Sequence, residues 1–288
     1  MIDATLGEGG HTHAFLSRFP GLSVVGVDAD SRIQAVAMKN LAAFSGRVEF
    51  FRGRAQDFFA SYPAGRKRPD TVLADLGISS FHYRTSGGGF GFLNDEPLDM
   101  RIDTSAGVPA WRLLSDLCEK DIADMLYQNA EERYSRRIAR AVVQERRRGA
   151  VTTTAALSEL VKRVVPASYR HGPIHPATRT FLALRVAVNG ELSGLPGLLE
   201  GALRVLEPGG RLGIISFHSL EDRIVKNLFR TKSRDCVCPP EVPSCRCAGQ
   251  TVRILTRKGV TPEAAEIERN PPSRSARLRV VEKIKDAT

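Results

Sequence analysis

Short apolar runs alternate with helix-like stretches along most of this chain. Four of the runs have the length and composition of strands: Met1–Thr5, Leu22–Asp28 (LSVVGVD), Thr71–Leu76 (TVLADL) and Arg211–Phe217 (RLGIISF). Polar or turn residues follow each of them, as they do where a parallel strand ends at the ligand-binding edge of a sheet. With a further candidate strand at Ala276–Ile284, the pattern predicts an α/β fold built on a βαβ sheet.

The pattern changes between Asp103 and about Leu195, where helix-like segments follow one another without a strand candidate. In Glu131–Arg148, apolar side chains recur every four residues and arginines occupy the neighbouring rows. The apolar positions are Tyr134, Ile138 and Val142, and the basic ones are Arg133, Arg136, Arg137 and Arg140. We therefore predict a helical insert over residues 104–195, between two parts of a sheet domain at residues 1–103 and 196–288.

The chain is strongly basic. Lys and Arg number 42 against 32 Asp and Glu, a formal net charge of +10, and arginine supplies most of the positive charge. The planar guanidinium matches phosphate and base edges better than an ammonium group does, so the charge favours a nucleic acid over an acidic protein as partner. A merely solvated basic surface is the alternative reading of the same charge.

A length of 288 residues with 42% hydrophobic content is enough for one or two packed domains. The longest apolar runs, such as Leu212–Phe217, are far shorter than the roughly 20 residues that cross a bilayer. The N-terminus also lacks a charged start followed by an apolar stretch. We expect a cytoplasmic protein without a membrane partner.

Four of the five cysteines lie in one short segment, DCVCPPEVPSCRC, as Cys236, Cys238, Cys245 and Cys247. Cysteines in a cytosolic chain of this size are expected to stay reduced, which leaves a zinc site or four unreactive thiols. The C-x-C pairs are tighter than the usual zinc-ligand spacing. No metal is therefore included in the predicted function.

A glycine-rich turn, LGEGGH, lies between the first strand and a helical run. Glycine allows a tight turn and close approach of a ligand to the backbone, and a helix N-terminus attracts negative charge. The G-x-G-G spacing of Gly7, Gly9 and Gly10 lacks the third glycine of the dinucleotide fingerprint. A simple strand-to-helix turn explains it equally well.

Asp28 strengthens the cofactor interpretation of this turn. It lies at the end of the second strand, where a carboxylate can accept the hydroxyl protons of an adenosine ribose, whereas Asp30 is more suited to capping a helix. These features do not separate NAD from S-adenosylmethionine. The L-x-P-G-G-x-L stretch at Leu206–Leu212 and Asp75 at the end of another strand favour the latter.

Several longer segments resemble one family throughout the chain. They are DATLGEGGH, DLGISS, PLDMRID, EERYSRRIARAVV, HPATRTFLALRVAVNGEL, LEPGGRLGIISFHSLEDRIVK and NPPSRSARLR. In this order they resemble the MraW or RsmH family, bacterial enzymes that methylate the N4 amine of a cytidine at the decoding centre of 16S ribosomal RNA. The resemblance implies S-adenosyl-L-methionine as cofactor, 16S RNA or the small ribosomal subunit as partner, and a class I, Rossmann-like methyltransferase sheet with an inserted all-helical domain.

The resemblance also implies where the cofactor binds, and how the chain begins. By position, the cofactor contacts fall on Gly9, Gly10, His11, Asp28, Ala55, Asp75 and His82. The family commonly has an aromatic residue at the position of Ala55 and Gln at that of His82. Family members usually carry roughly 20 to 25 residues before this point, so the sequence is expected to begin late, within its first strand.

Methyl transfer to an exocyclic amine depends on positioning, because the sulfonium is already activated. The lone pair of a cytosine amine is delocalised into the ring, so a hydrogen-bond acceptor that draws it towards tetrahedral geometry assists the attack. We predict that Asp75 is this catalytic acceptor. A strand-end aspartate that caps a turn is the alternative.

Further side chains are candidates for contact with the RNA. Ser79 and His218 lie after strands at the predicted ligand edge, although His218 could equally be a packed, hydrogen-bonded residue. Arg101, Arg179 and Arg185 are candidates for holding phosphates, and structural salt bridges are the alternative.

Two other functions remain at this point. A non-catalytic RNA-binding or ribosome-assembly factor that retains the fold is consistent with Ala55 and His82. An NAD-dependent oxidoreductase is disfavoured by the G-x-G-G spacing and the arginine-rich insert.

Overall fold

A computed structural model of the chain describes residues 1–84, 86–236, 238 and 249–286. The strands are β1 (Ile2–Asp3), β2 (Val24–Asp28), β3 (Val48–Arg52), β4 (Thr71–Asp75), β5 (Arg211–Ser216), β6 (Val252–Ile254) and β7 (Arg277–Lys283). The helices before residue 150 are α1 (Gly10–Arg18), α2 (Ser31–Asn40), α3 (Ala55–Ala60), α4 (Ser80–Arg84), α5 (Ala110–Asp116), α6 (Glu119–Ala130) and α7 (Ser135–Glu145). The later ones are α8 (Thr154–Val164), α9 (Ala167–Arg170), α10 (Thr178–Asn189), α11 (Glu191–Val205), α12 (Ser219–Lys232) and α13 (Ala264–Arg269), and short 3-10 helices cover Ala42–Arg47 and Pro271–Ser275.

The chain forms two compact units. The first unit combines Met1–Gly77 with Ser193–Thr288, and the second unit is Ile78–Leu192. The second unit thus begins at Ile78, whereas the predicted insert begins at residue 104. Residues between these two points supply Phe90, Leu98 and Met100 to the buried core of the second unit, and no helical periodicity marks them in the sequence.

The first unit is built on a seven-stranded sheet in the order β3-β2-β1-β4-β5-β7-β6. The five strands from β3 to β5 pair in parallel, and β7 runs antiparallel to both of its neighbours. This order, with a single reversed strand next to one edge, is the Rossmann-like fold of class I methyltransferases. The five predicted strands are all present, and the prediction omitted the two edge strands, β3 and β6.

The parallel pairing brings the carboxyl ends of the central strands to one edge of the sheet. The interior strands are apolar because both faces are covered, and Val27, Val72 and Ile214 are completely buried. Leu199 and Ala202 of α11 belong to the same core. The polar residues that follow β1, β2, β4 and β5 therefore share one edge.

The second unit is helical, and α6 packs against both α7 and α10. Ile138 and Val142 of α7 are buried in its core, and Tyr134 packs against it in a half-buried position. The predicted apolar face of this segment is confirmed. Among all the residues that the structure describes, no helix is both long enough and apolar enough to cross a membrane.

Candidate functional site

The turn between β1 and α1 is shaped by glycines with left-handed backbone conformations. Gly7 has φ of 53° and Gly9 has φ of 84°, a region that side-chain-bearing residues rarely adopt. A Cβ atom on Gly9 would lie 2.9 Å from Leu41 Cδ1, whereas one on Gly10 would meet nothing within 4 Å. The turn is thus tightly packed on one side and open on the other.

The first turn of α1 has no side-chain cap, because its N-cap residue is Gly9. Its backbone N–H groups point out of the helix N-terminus, which carries a partial positive charge. This arrangement suits a ligand with a carboxylate or other electronegative groups.

Asp28 links this turn to the end of β2. Its Oδ2 accepts a hydrogen bond from the Gly7 N–H at 2.8 Å, and its Oδ1 accepts one from the Asp30 N–H at 2.9 Å. Burial raises the pKa of the Asp28 carboxyl, and the two N–H donors oppose that rise. Each oxygen retains a further lone pair that can accept a ribose hydroxyl.

Asp30 has a different role, as the sequence suggested. Its carboxylate accepts the Arg32 N–H at 2.8 Å and caps α2. The same carboxylate forms an ion pair with the Arg32 side chain at 2.7 Å. The helix-capping interpretation of Asp30 is therefore confirmed.

Asp75 lies at the end of β4, and His11 of α1 reaches it. His11 Nε2 is 3.3 Å from Asp75 Oδ2, and the Asp75 N–H donates to Thr5 Oγ1 at 2.6 Å. Asp75 Oδ1 is buried and has no hydrogen-bond partner among the described residues. The hydrogen bond to Asp75 raises the pKa of His11. The Asp75 side chain is 30% exposed, so a substrate can approach it at Oδ2, which keeps a further lone pair.

A buried carboxylate that the sequence analysis missed links β1 to α1. Asp3 in β1 is 1% exposed, and its Oδ2 accepts a hydrogen bond from Thr12 Oγ1 of α1 at 2.7 Å. Burial raises the pKa of Asp3, and the Thr12 hydrogen bond opposes the rise. An aspartate within an otherwise apolar first strand was the available signal, since a buried carboxylate requires a hydrogen-bonding partner.

His218 and Ala55 also follow strands of the first unit. His218 is the N-cap residue of α12, where its side chain accepts the Glu221 N–H and its ring Nε2 lies 3.2 Å from Glu221 Oε1. This is the hydrogen-bonded structural role that was the alternative for His218, and contact with RNA stays a prediction. Ala55 begins α3 after β3 and is half-buried against the core of the first unit.

His82 and Ser79 belong to the second unit. His82 is buried, with its ring edge-on to that of Phe90 at a centroid distance of 5.2 Å. The Ser79 hydroxyl oxygen accepts the Phe81 N–H at 3.0 Å. Their predicted contacts with cofactor and RNA stay predictions.

The three arginines predicted to hold RNA all bind protein groups within the second unit. Arg101 pairs with Asp99 at 2.7 Å, and Arg179 donates to the carbonyl oxygen of Glu131 at 2.9 Å. Arg185 is buried and forms a two-pronged salt bridge with Glu191 at 2.9 and 2.8 Å. These contacts are the structural salt bridges and hydrogen bonds of the alternative interpretation, and an additional contact with RNA stays a prediction. Of the cysteine cluster, Cys245 and Cys247 lie outside the described residues.

The first unit therefore brings together five of the predicted residues: Gly9, Gly10, His11, Asp28 and Asp75. They combine uncapped helix N–H groups, a carboxylate suited to a ribose, and the partly exposed carboxylate of Asp75. These groups fit a ligand with an amino-acid end and a nucleoside end, such as S-adenosyl-L-methionine.

Comparison with known proteins shows the family to which the chain is similar. The model of the MraW methylase family matches residues 1–284. A protein of Treponema denticola, named ribosomal RNA small subunit methyltransferase H, is 51% identical over 99% of this chain and 90% of its own length. A protein of the same name from Syntrophobacter fumaroxidans is 46% identical over 98% of this chain and 89% of its own length. Another, from Synechococcus elongatus, is 44% identical over 99% of this chain and 88% of its own length.

Proposed function

Because this chain belongs to the MraW methylase family, we propose that it methylates ribosomal RNA of the small subunit with S-adenosyl-L-methionine as methyl donor. We further propose that the target is the N4 amine of a cytidine in the decoding centre of 16S RNA. The family match supports the reaction class. The observation that carries the site assignment is the partly exposed carboxylate of Asp75 at the end of β4, whose Oδ2 lies 3.3 Å from His11 Nε2.

The donor-binding groups that the structure brings together come from the first unit. The N–H groups of Gly10 and His11 at the start of α1 would hold the amino-acid end, with Gly9 providing the turn that exposes them. Asp28 would accept the ribose hydroxyls. Ala55 and His82 are assigned to the adenine end by resemblance alone. When bound, the cofactor supplies a methyl group on a positively charged sulfur.

Asp75 acts on the target amine in this proposal. Its accessible oxygen, Oδ2, accepts a hydrogen bond from the N4 amine, which localises the lone pair on nitrogen and orients it for in-line attack. His11 Nε2 contacts the same oxygen, which limits the orientations of the carboxylate. After transfer the amine loses a proton to water, and a dedicated base is not required.

The inserted helical unit is proposed to bind the structured RNA substrate. Its side chains Ser79, Arg101, Arg179 and Arg185, together with His218 of the first unit, are the predicted contact residues. A basic chain suits this role, since phosphate contacts supply most of the affinity for nucleic acid.

The test is methyl transfer to small subunits purified from cells that lack the activity. We expect label from methyl-labelled S-adenosylmethionine in N4-methylcytidine after nucleoside analysis of the 16S RNA. Label in a different nucleoside would contradict the proposed target but retain the reaction class. No label, together with RNA binding, would favour the non-catalytic assembly factor.

A further inference from the structure

Exposed arginines cover one side of α7 and of the turns at its two ends. They are Arg133, Arg136, Arg137, Arg140, Arg147 and Arg148. Arg136, Arg137 and Arg140 lie within α7, where 3.6 residues per turn places them within about 100° of one another. The opposite side carries Ile138 and Val142, which are buried in the core of the second unit. We call these six arginines the α7 basic face.

Most of the α7 basic face is not neutralised by ion pairs within the described part of the chain. Arg140 Nε lies 3.5 Å from Glu119 Oε1, and the other five arginines form no ion pair with any described residue. Several exposed bases elsewhere in the same unit pair with an acid about one helical turn away, as do Arg112 with Asp116, Lys120 with Asp124, and Lys162 with Glu159.

This clustering does not stabilise the fold. Arg136 and Arg140 are four residues apart in α7, and like charges at this spacing destabilise a helix. A face that serves only solubility does not require a single sign of charge, because interspersed acids serve solubility as well. The repulsion is relieved when a polyanion binds.

We propose that the α7 basic face binds the phosphate backbone of the RNA substrate. This inference rests on the proposed function and assigns a surface to it. Guanidinium groups make two-pronged hydrogen bonds to phosphate, and a row of them along a rigid helix can contact successive phosphates. Such contacts position the RNA and do not read its sequence.

The experiment compares two double variants that remove equal charge from the second unit. In R136Q/R137Q both arginines come from the α7 basic face, and glutamine retains their helix propensity. In the control, R112Q/K120Q, two exposed bases are lost from ion-paired positions. Binding to a 16S RNA transcript is measured at several salt concentrations, alongside methyl transfer to small subunits and the melting temperature.

Each lost phosphate contact lowers the slope of log Kd against log salt by about 0.7 to 0.9. For R136Q/R137Q we expect a slope reduced by about 1.5 and a Kd raised roughly 10- to 30-fold at 0.15 M salt. The KM for subunits should rise, while donor affinity stays unchanged and the melting temperature does not fall. The control variant should change Kd by less than about threefold.

Equal weakening by both double variants would overturn the inference, because total charge alone would then explain binding. Unchanged RNA affinity and KM in R136Q/R137Q would overturn it while leaving the proposed function intact. Loss of binding to intact subunits with normal binding to naked RNA would assign the face to a ribosomal protein instead. A wild-type protein that binds RNA through this face but transfers no methyl group would contradict only the proposed function.

Discussion

Replacing Asp75 by Asn tests the proposed catalytic group with little change in shape. The substitution removes the negative charge and leaves a side chain of the same size. The strand end does not depend on the carboxylate, because the Asp75 N–H is held by Thr5 Oγ1. The carboxylate itself has Oδ1 unpaired among the described residues and Oδ2 next to His11. We therefore expect the variant to fold normally and to lose activity.

The expected loss follows from the role of a single charged acceptor in the transition state. Removing one such group from an active site costs about 2.7–4 kcal/mol, or roughly 100- to 1000-fold in kcat. The rate is measured as methyl incorporation into small subunits at saturating donor. Donor affinity is measured separately by calorimetry, so that a binding defect is distinguished from a slower reaction.

A second readout is the pKa of His11, followed by NMR. Because the hydrogen bond to Asp75 is the main cause of its raised pKa, the pKa should fall towards its ordinary value in Asp75→Asn. The control is Asp70→Asn, which removes an exposed carboxylate just before the other end of β4. A variant of Asp75 with normal kcat would refute the catalytic assignment, and an unchanged His11 pKa would refute the pairing.

Three further predictions concern the same edge of the sheet. Asp28→Asn should raise the Kd for S-adenosylmethionine at least about tenfold, since one charge-assisted hydrogen bond is worth about 1.5–3 kcal/mol. The control variant Asp30→Asn should lower stability through α2 and leave that Kd unchanged. Equal affinities of the two variants for S-adenosylmethionine would contradict the assignment of Asp28 to the ribose. Thr12→Val removes the hydroxyl that donates a hydrogen bond to the buried Asp3 carboxylate in β1. The variant should lower the free energy of unfolding by about 2 kcal/mol and the melting temperature by about 4–8 °C. A melting temperature within about 1 °C of wild type, measured by calorimetry, would count against this hydrogen bond. The raised pKa of His11 contributes stability that is fully present below pH 6.5, its ordinary value, and is lost as pH rises through the raised value. In His11→Gln, the free energy of unfolding, measured by denaturation at several pH values, should lack this decrease with pH. The same pH dependence in the variant and the wild type would disprove the contribution of His11.

Much of the fold was predictable because local patterns determine it. The runs at β2, β4 and β5 are apolar since both faces of an interior parallel strand are covered. The amphipathic pattern of α7 likewise follows from having one buried side. In contrast, β3 and β6 lie at the edges of the sheet, where exposure removes the continuous apolar run by which a strand is recognised.

The extent of the second unit was less predictable for a related reason. The segment before residue 104 contributes Phe90, Leu98 and Met100 to a helical core, yet it contains little regular structure of its own. Its apolar residues are spaced irregularly, because contacts with distant helices determine their burial. A periodicity analysis does not detect such a segment.

The sequence by itself determined the interior strands, the amphipathic pattern of α7, the glycine turn and the acidic residues at the ends of β2 and β4, since each depends on neighbouring residues. Only the tertiary structure decided which polar groups meet. His11 and Asp75 are 64 residues apart, and the pairing of β1 with β4 brings them together. The same holds for Arg185, whose guanidinium binds Glu191 in a buried salt bridge. Hydrogen bonds and ion pairs act over a few ångströms, so sheet register and helix packing determine which partners they join.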